Sequence, residues 1–385
     1  METKKKLLRI TTADISLDGL LKGQLKFLDN YFEVVGVASD SGELQKVGER
    51  EQVRVINLPM HREISLVNDL RSLAALYRLI LKEKPYIVHA NTPKGSLLGM
   101  IAAWMAHVPH RIYTVTGLRY QGASGLLRFI LKSMERLTCF FANHVIPEGE
   151  GVRKCLVNDH ITGKPLAVIH YGNINGKDTT YFSPGQAAEV MGTREDVRKK
   201  LNILPDDFVF VSVGRIVRDK GMNELADSMR KITKDNPRCK LVLVGSTEPD
   251  LDPLPPETED FFLHDASVRW VGHQSDIRPY LLAADALAFP SYREGFPNVV
   301  LEAGSMGLAS IVTDINGCNE IIENGYNGVI IPPKNSELLF HAMSDFIKMP
   351  ADVRQMGDNA RKLVIRKYEQ KDFWQALLRM YKSLG

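Results

Sequence analysis

The chain has little that would staple, anchor or coat it. Only four cysteines occur among 385 residues, Cys139, Cys155, Cys239 and Cys318; they are far apart and fall in no CxxC or Cys/His spacing. That argues against a disulfide framework or a structural zinc site and favours a reduced, cytosolic setting. No apolar run approaches the roughly 20 residues of a membrane-spanning helix. The opening METKKKLLRITTADIS is charged, but its apolar segment is too short for a secretion signal. Net charge is only +3, too small to argue for nucleic acid, so phosphates on small molecules are the anions to consider. Low-complexity tracts and short-period repeats are missing as well.

What is present is a regular alternation. LLRIT, FEVVGVAS, VRVINL, YIVHA, RIYTVT, HVIP and LAVIH read as strands, separated by stretches such as LVNDLRSLAALYRLILKEK whose apolar residues recur at helical spacing. The pattern predicts an α/β fold with parallel, doubly wound sheets. It breaks at HYGNINGKDTTYFSPG, residues 170–185, into the Gly, Asn, Asp and Pro of a linker, then restarts with DFVFVSVG, CKLVLVG, VRWVG, DALAFP, ASIVT and GVIIPP. At this length two domains are expected, and the restart makes them two similar halves in tandem. STEPDLDPLPPETED reads as one surface loop.

Two stretches of the second half carry chemistry. VSVGRIVRDKGM follows a strand and holds Gly214, Arg215, Lys220 and Gly221; a strand-end glycine lets backbone approach a ligand, and two cations five residues apart suit a diphosphate. PSYREGFPNVVLEAGSMG follows another strand and places Pro297 at a first helical position, where free N–H groups favour an anion. Glu294 and Glu302 flank that start. Glu302 lies one turn beyond Asn298 with its side chain leaning back toward the helix N-terminus, where a carboxylate can accept bonds from ribose hydroxyls. A plainer reading also fits: both glutamates complement the helix dipole, worth a few tenths to about 1 kcal/mol. A glycosidase pair, whose carboxylates stand about 5 Å apart across the sugar in retaining enzymes, suits one loop and helix start poorly. Asp250 and Asp252 form a DxD, a metal-binding pattern elsewhere, but among six acidic residues between 248 and 260 they read as a solvated loop.

EGFPNVVLEAGSMG with its E-x7-E spacing, GRIVRDKG and NEIIENGYNGVIIPP together resemble the retaining family 4 glycosyltransferases, which have the two-Rossmann GT-B architecture. ISLDGLLKGQLKFL, VHANTPKGSLLGMIAA and GNINGKDTTYF extend the resemblance over nearly the whole chain, toward the branch that builds bacterial surface polysaccharides. The resemblance implies two domains facing a central cleft: an acceptor-binding domain at 1–178 joined by a C-terminal helix at 368–385 that crosses back, and a nucleotide-sugar domain at 179–367. It implies that Arg215 and Lys220 neutralise the donor diphosphate beside Gly214 and the backbone of Asn298 and Val299. Glu302 would hold the ribose, Glu294 with Gly295 and Phe296 the transferred sugar, and Val271 and His273 would edge the base. Glu294, Arg215 and Lys220 are the expected catalytic set. Fixed cations and a helix N-terminus stabilise a departing diphosphate without a metal, so no cofactor or metal is expected.

For the acceptor, the resemblance points to Gly19, Gly23, Asn91, Lys94, Thr116 and Arg119. The glycines lie in TTADISLDGLLKGQ, which reads equally as a plain turn and helix start; relatives often carry His where Asn91 stands, and His or Arg where Thr116 stands. SGLLRFILKSMERLTCFFANH interleaves Leu126, Leu127, Phe129, Ile130 and Leu131 with Arg128, Lys132 and Arg136, a basic amphipathic helix that fits either an anionic inner membrane or the core. The expected activity is transfer of a hexose or N-acetylhexosamine, with retention, from a UDP-sugar to a polyprenyl-diphosphate-linked or saccharide acceptor. A nucleotide-sugar binding protein without transfer and a sugar-nucleotide epimerase are the alternatives.

Overall fold

The computed structural model describes residues 4–61 and 65–385, so the first three residues of METKKK lie outside it. The chain forms two compact units, residues 1–176 with 371–385, and residues 177–370. Lys177 therefore opens the second unit, and the last helix, Gln370–Lys382, joins the first from Lys371 onward.

Among the described residues, the first unit has six strands, β1 (Lys6–Ala13), β2 (Glu33–Ser39), β3 (Arg54–Asn57), β4 (Ile87–Ala90), β5 (His110–Val115) and β6 (His144–Pro147), in the order 3-2-1-4-5-6. The second has β7 (Phe208–Val213), β8 (Cys239–Val244), β9 (Val268–Trp270), β10 (Ala286–Phe289), β11 (Ala309–Thr313) and β12 (Gly328–Ile331). Its order, β12-β11-β10-β7-β8-β9, is the same pattern. Every strand pair is parallel. Helices cover both faces, which is why β4 and β10 are buried along their whole length and read as unbroken apolar runs. In this order the strand sequence reverses between β1 and β4, and between β7 and β10, and a ligand crevice opens at the carboxyl ends of such a pair.

Three sequence expectations change. LAVIH is not a strand: only Leu166 bridges, to Val145. The last third of the surface loop STEPDLDPLPPETED is helical, because Pro256 starts a helix that runs to His264. Pro297 precedes its helix, Asn298–Ser305, as the N-cap instead of the first turn. The expected linker at 170–185 does contain the boundary between the units; within it residues 172–176 are buried, and Asn175 accepts from Trp374 Nε1 at 2.7 Å and Gln24 Nε2 at 3.1 Å while its amide donates to the Lys22 carbonyl at 3.0 Å.

Candidate functional site

In the second unit, β7 and β10 are neighbours, so the loops that leave their carboxyl ends meet. Lys220 sits at the end of one and Glu294 in the other. The Lys220 ammonium hydrogen-bonds Glu294 Oε1, and the Ser291 hydroxyl donates to the same oxygen at 2.9 Å. Both partners of the ion pair are shielded, with 15% and 17% of their side chains exposed. The close approach depends on Gly221: a Cβ there would lie 2.1 Å from the Pro290 carbonyl oxygen, and its φ of +71° is a left-handed value. Tyr292 N–H donates to the Asp219 carbonyl at 2.9 Å, and Arg293 pairs with the Asp219 carboxylate at 2.6 Å. Burial and the neighbouring Glu224 carboxylate push the Tyr292 phenol up, which keeps it a donor to Glu224.

Arg215 follows Gly214 on the exposed rim and forms an ion pair with Glu248 at 2.6 Å. Gly214 and Gly245 stack closely, since a Cβ on Gly245 would fall 1.7 Å from the Gly214 carbonyl oxygen. Gly245 N–H in turn donates to the Gly272 carbonyl at 2.8 Å, which sets Val271 and the exposed His273 at the same edge of the sheet.

The helix Asn298–Ser305 starts from Pro297, which supplies no side-chain cap, and its first turn holds no acidic residue. Val299 is half-buried, Gly295 precedes it in the loop, and Phe296 is buried in the core. One turn on, Glu302 accepts from Lys177 Nζ at 2.7 Å. Every charged side chain expected to hold the donor thus has an internal counter-ion: Arg215 has Glu248, Lys220 has Glu294, Glu302 has Lys177. An arriving diphosphate and sugar would exchange these partners, and would not face bare charges.

Sequence reasoning missed Lys177, Ser291 and Glu248. Nothing local marks the first two. Glu248 belongs to the acidic loop read as solvated, and that reading is corrected: Asp252 of the DxD accepts from Arg218 Nε at 2.9 Å and from Asp219 N–H at 2.7 Å, so it braces the loop after β7. Among the described residues no cluster of His, Cys, Asp or Glu could hold a metal ion.

The first unit presents a different edge. Gly19 lies inside the helix Asp14–Leu20, and Gly23 joins that helix to Gln24–Asp29, so neither glycine borders a strand end. Asn91 is wholly buried, with Oδ1 facing Arg9 Nη2 at 3.5 Å. Lys94 is buried too and reaches Asp69 at 2.8 Å. Thr116 donates to the Asn91 carbonyl at 2.6 Å, and Arg119 is exposed in a short 3-10 helix. Of the six acceptor candidates, Thr116 and Asn91 are brought together, while the Asn91 and Lys94 side chains turn inward as supports of the strand ends. The end of β1 and the turn after β4 are tied by Thr92 Oγ1, which accepts from Thr12 N–H at 2.8 Å.

The helix Gly125–Phe141 reverses the usual pattern. Its buried residues are Glu135, Thr138 and Cys139, while Leu126, Phe129 and Phe140 are 74%, 64% and 69% exposed. The basic face is partly committed within the protein: Lys132 pairs with Asp159 at 2.5 Å, and Arg136 binds the carbonyls of Asp159 and His160. Leu131 packs against the core. No helix among the described residues is long and apolar enough to cross a membrane.

Comparison with known proteins places this geometry. Residues 193–363 match the family described as glycosyl transferases group 1, and residues 31–172 match a glycosyl transferase 4-like domain. The chain is 32% identical over 383 residues to the capsular polysaccharide biosynthesis glycosyltransferase CapM of Staphylococcus aureus, spanning 98% of this chain and 97% of that protein. It is 30% identical over 360 residues, 87% of each, to the UDP-Gal:alpha-D-GlcNAc-diphosphoundecaprenol alpha-1,3-galactosyltransferase of Escherichia coli. Among solved structures, Anabaena Alr3699/HepE in complex with UDP and glucose matches with a TM-score of 0.80 at 18% identity, over 98% of this chain and 100% of that one.

Proposed function

The chain belongs to the family 4 glycosyltransferases, with two parallel-sheet Rossmann-like domains of the GT-B kind, and from that premise we propose that it moves a hexose or N-acetylhexosamine, with retention, from a UDP-sugar to a polyprenyl-diphosphate-linked or saccharide acceptor. Surface-polysaccharide synthesis is the proposed setting, by analogy with the capsule glycosyltransferase and with the galactosyltransferase whose name carries a diphosphoundecaprenol acceptor.

One observation carries the site assignment: the loops after β7 and β10 converge on a shielded Lys220–Glu294 pair beside the start of the helix Asn298–Ser305. In this reading Lys220, Arg215 and the helix N–H groups receive the diphosphate, whose charge grows as the glycosidic bond breaks. Glu294, freed from Lys220, accepts hydrogen bonds from the sugar. Glu302 accepts from the ribose, and Val271 and His273 edge the base. The departing phosphate takes the acceptor hydroxyl proton on the same face, which retains configuration. No metal enters this scheme.

The outward apolar face of Gly125–Phe141 supports peripheral contact with an anionic membrane. Arg128 and Arg119 lie on the exposed surface nearby in sequence, and burying several leucine and phenylalanine side chains at about 1.5–3 kcal/mol each supplies the attraction. The test is incubation with UDP-glucose, UDP-galactose and their N-acetylamino forms plus a polyprenyl diphosphate sugar, with the product anomer read by NMR. Retained-anomer product is expected. Interconversion of free UDP-sugar without acceptor, or nucleotide binding with neither transfer nor hydrolysis, would replace this reading with the epimerase or the binding protein.

A further inference from the structure

Glu302 owes its setting to a residue far from it in sequence. Lys177 Nζ reaches Glu302 Oε1 at 2.7 Å, and only 11% and 16% of the two side chains are exposed. The ammonium also lies 5.6 Å from the centre of the Phe182 ring. Lys177 is the residue at which the chain enters the second unit. Its backbone is bound to the place where the chain leaves: Lys177 N–H donates to the Tyr368 carbonyl at 2.7 Å, and Gln370 N–H donates to the Lys177 carbonyl at 3.0 Å. Next to it, the buried Thr179 hydroxyl donates to the Glu369 carboxylate. Tyr368 in turn packs its ring 5.6 Å from that of Phe296, and its hydroxyl donates to the Glu320 carbonyl at 3.1 Å. The entry and exit segments of the second unit are therefore bonded to each other and both touch the loop and helix of the donor site.

We propose that Lys177 is a positioning residue for the nucleotide: it holds Glu302 in one rotamer as the acceptor for ribose hydroxyls, and it transmits nucleotide occupancy to the paired segments at 177–179 and 368–370. The proposal rests on the reading of Glu302 as the ribose ligand. A carboxylate has about four lone-pair sites, so one ammonium on Oε1 leaves the other oxygen open to a diol. The same ammonium offsets a negative charge that would otherwise stand near the incoming diphosphate. Without Lys177, Glu302 would be partly buried, without its counter-ion and free to turn.

The experiment uses the full chain. Binding of UDP, GDP and ADP is measured by calorimetry, and for the nucleotide that binds, its 2′,3′-dideoxy counterpart as well. Wild type is expected to bind the ribo form at least about tenfold tighter, the worth of one to two hydrogen bonds to a charged group. In Lys177→Met the preference should shrink to within about threefold, and the donor KM should rise about tenfold with kcat within about twofold, as for a contact shared by ground and transition states. Lys177→Arg should restore both. Hydrogen exchange at 177–179 and 368–370 should slow when the nucleotide binds wild type. Lack of binding by all three nucleotides, or equal binding of ribo and dideoxy forms by wild type, would overturn the ribose reading and this proposal together. Undiminished preference and KM in Lys177→Met would overturn the role of Lys177 alone. If Lys177→Met fails to fold, Lys177→Gln and the wild-type exchange carry the decision, and unaltered exchange on nucleotide binding rejects the coupling.

Discussion

At the carboxyl edge of the second unit, the loops after β7 and β10 meet through an ammonium on a carboxylate; at the matching edge of the first unit, the end of β1 and the turn after β4 meet through threonine hydroxyls and backbone. The strand order is the same in both. Beneath the edge of the first unit lies a cation that meets no carboxylate among the described residues: Arg9, 1% exposed, donates to Tyr381 at 2.8 Å and faces His89 Nδ1 at 2.8 Å, and its Nε has no partner among them. Burial and Arg9 hold the His89 imidazole well below its usual pKa, so the ring stays neutral, and Nε2 meets Thr114 Oγ1 at 2.7 Å. Asp14, the first residue of the helix that follows β1 directly, shows how firmly this edge is closed: burial works to raise its pKa, but donors from Ser41, Glu43 and Ile15 outweigh it and hold the carboxyl at about 2. One strand order thus carries an edge of ion pairs in one unit and an edge of mostly buried hydrogen bonds in the other.

Breaking the ion-pair edge should have the largest effect. Glu294→Ala removes the group proposed to meet the sugar and leaves Lys220 unpaired, so kcat/KM should fall by about 10² to 10³, the scale of losing one preorganised contact; steady-state transfer assays measure it. Activity near wild type would remove Glu294 from the chemistry.

The first unit has its own pH dependence through Glu135, which lies on the buried face of the helix Gly125–Phe141 and accepts from Tyr113 at 2.8 Å. Burial raises its carboxyl from 4.5 to about 7 against the opposing hydrogen bond from Tyr113. The folded state thus holds this proton more tightly than the unfolded chain. The stabilising contribution is complete below pH 4.5 and is lost as pH rises through about 7, a difference of roughly 3 kcal/mol. Urea melts of wild type and Glu135→Gln from pH 4.5 to 8 should therefore diverge, with only wild type losing that amount.

A smaller effect is expected where the last helix meets Arg9. Tyr381→Phe deletes the hydroxyl that both Arg9 and His89 contact and leaves the buried guanidinium less satisfied, for a loss of about 1–3 kcal/mol in denaturant unfolding with little change in KM. Smallest is Arg215→Ala. Arg215 is half exposed and already paired with Glu248, so nucleotide affinity measured by calorimetry should fall only about threefold to tenfold, and less at high salt.

Much of this was legible in the sequence. Strand and helix alternation carried the fold because parallel strands covered on both faces must be apolar throughout, and twelve of the thirteen strand runs hold; LAVIH fails because a short apolar run says nothing about whether a neighbour is there to pair with it. Glycines at 214 and 221 stood out because the chain needs left-handed or sterically bare positions there. The acceptor half was read less well. Asn91 and Lys94 follow a strand end, as ligand residues do, but the residues that turn them inward, Arg9 and Asp69, come from other elements. The outward apolar face of Gly125–Phe141 was also undecided, since helical spacing shows that a helix has two faces and not which one meets solvent.

By itself, the sequence determined the two-sheet α/β architecture, the family, and the two strand-end loops of the second half, because strand, helix and turn preferences act over a few neighbouring residues. Only the tertiary structure decided the partners. Lys220 and Glu294 are 74 residues apart and Lys177 and Glu302 are 125 apart. Strand order brings the first pair together by laying β7 beside β10, and the bonded entry and exit of the second unit anchor the backbone of the second pair's lysine. No local periodicity encodes either meeting, since contacts of that span follow from how whole elements pack.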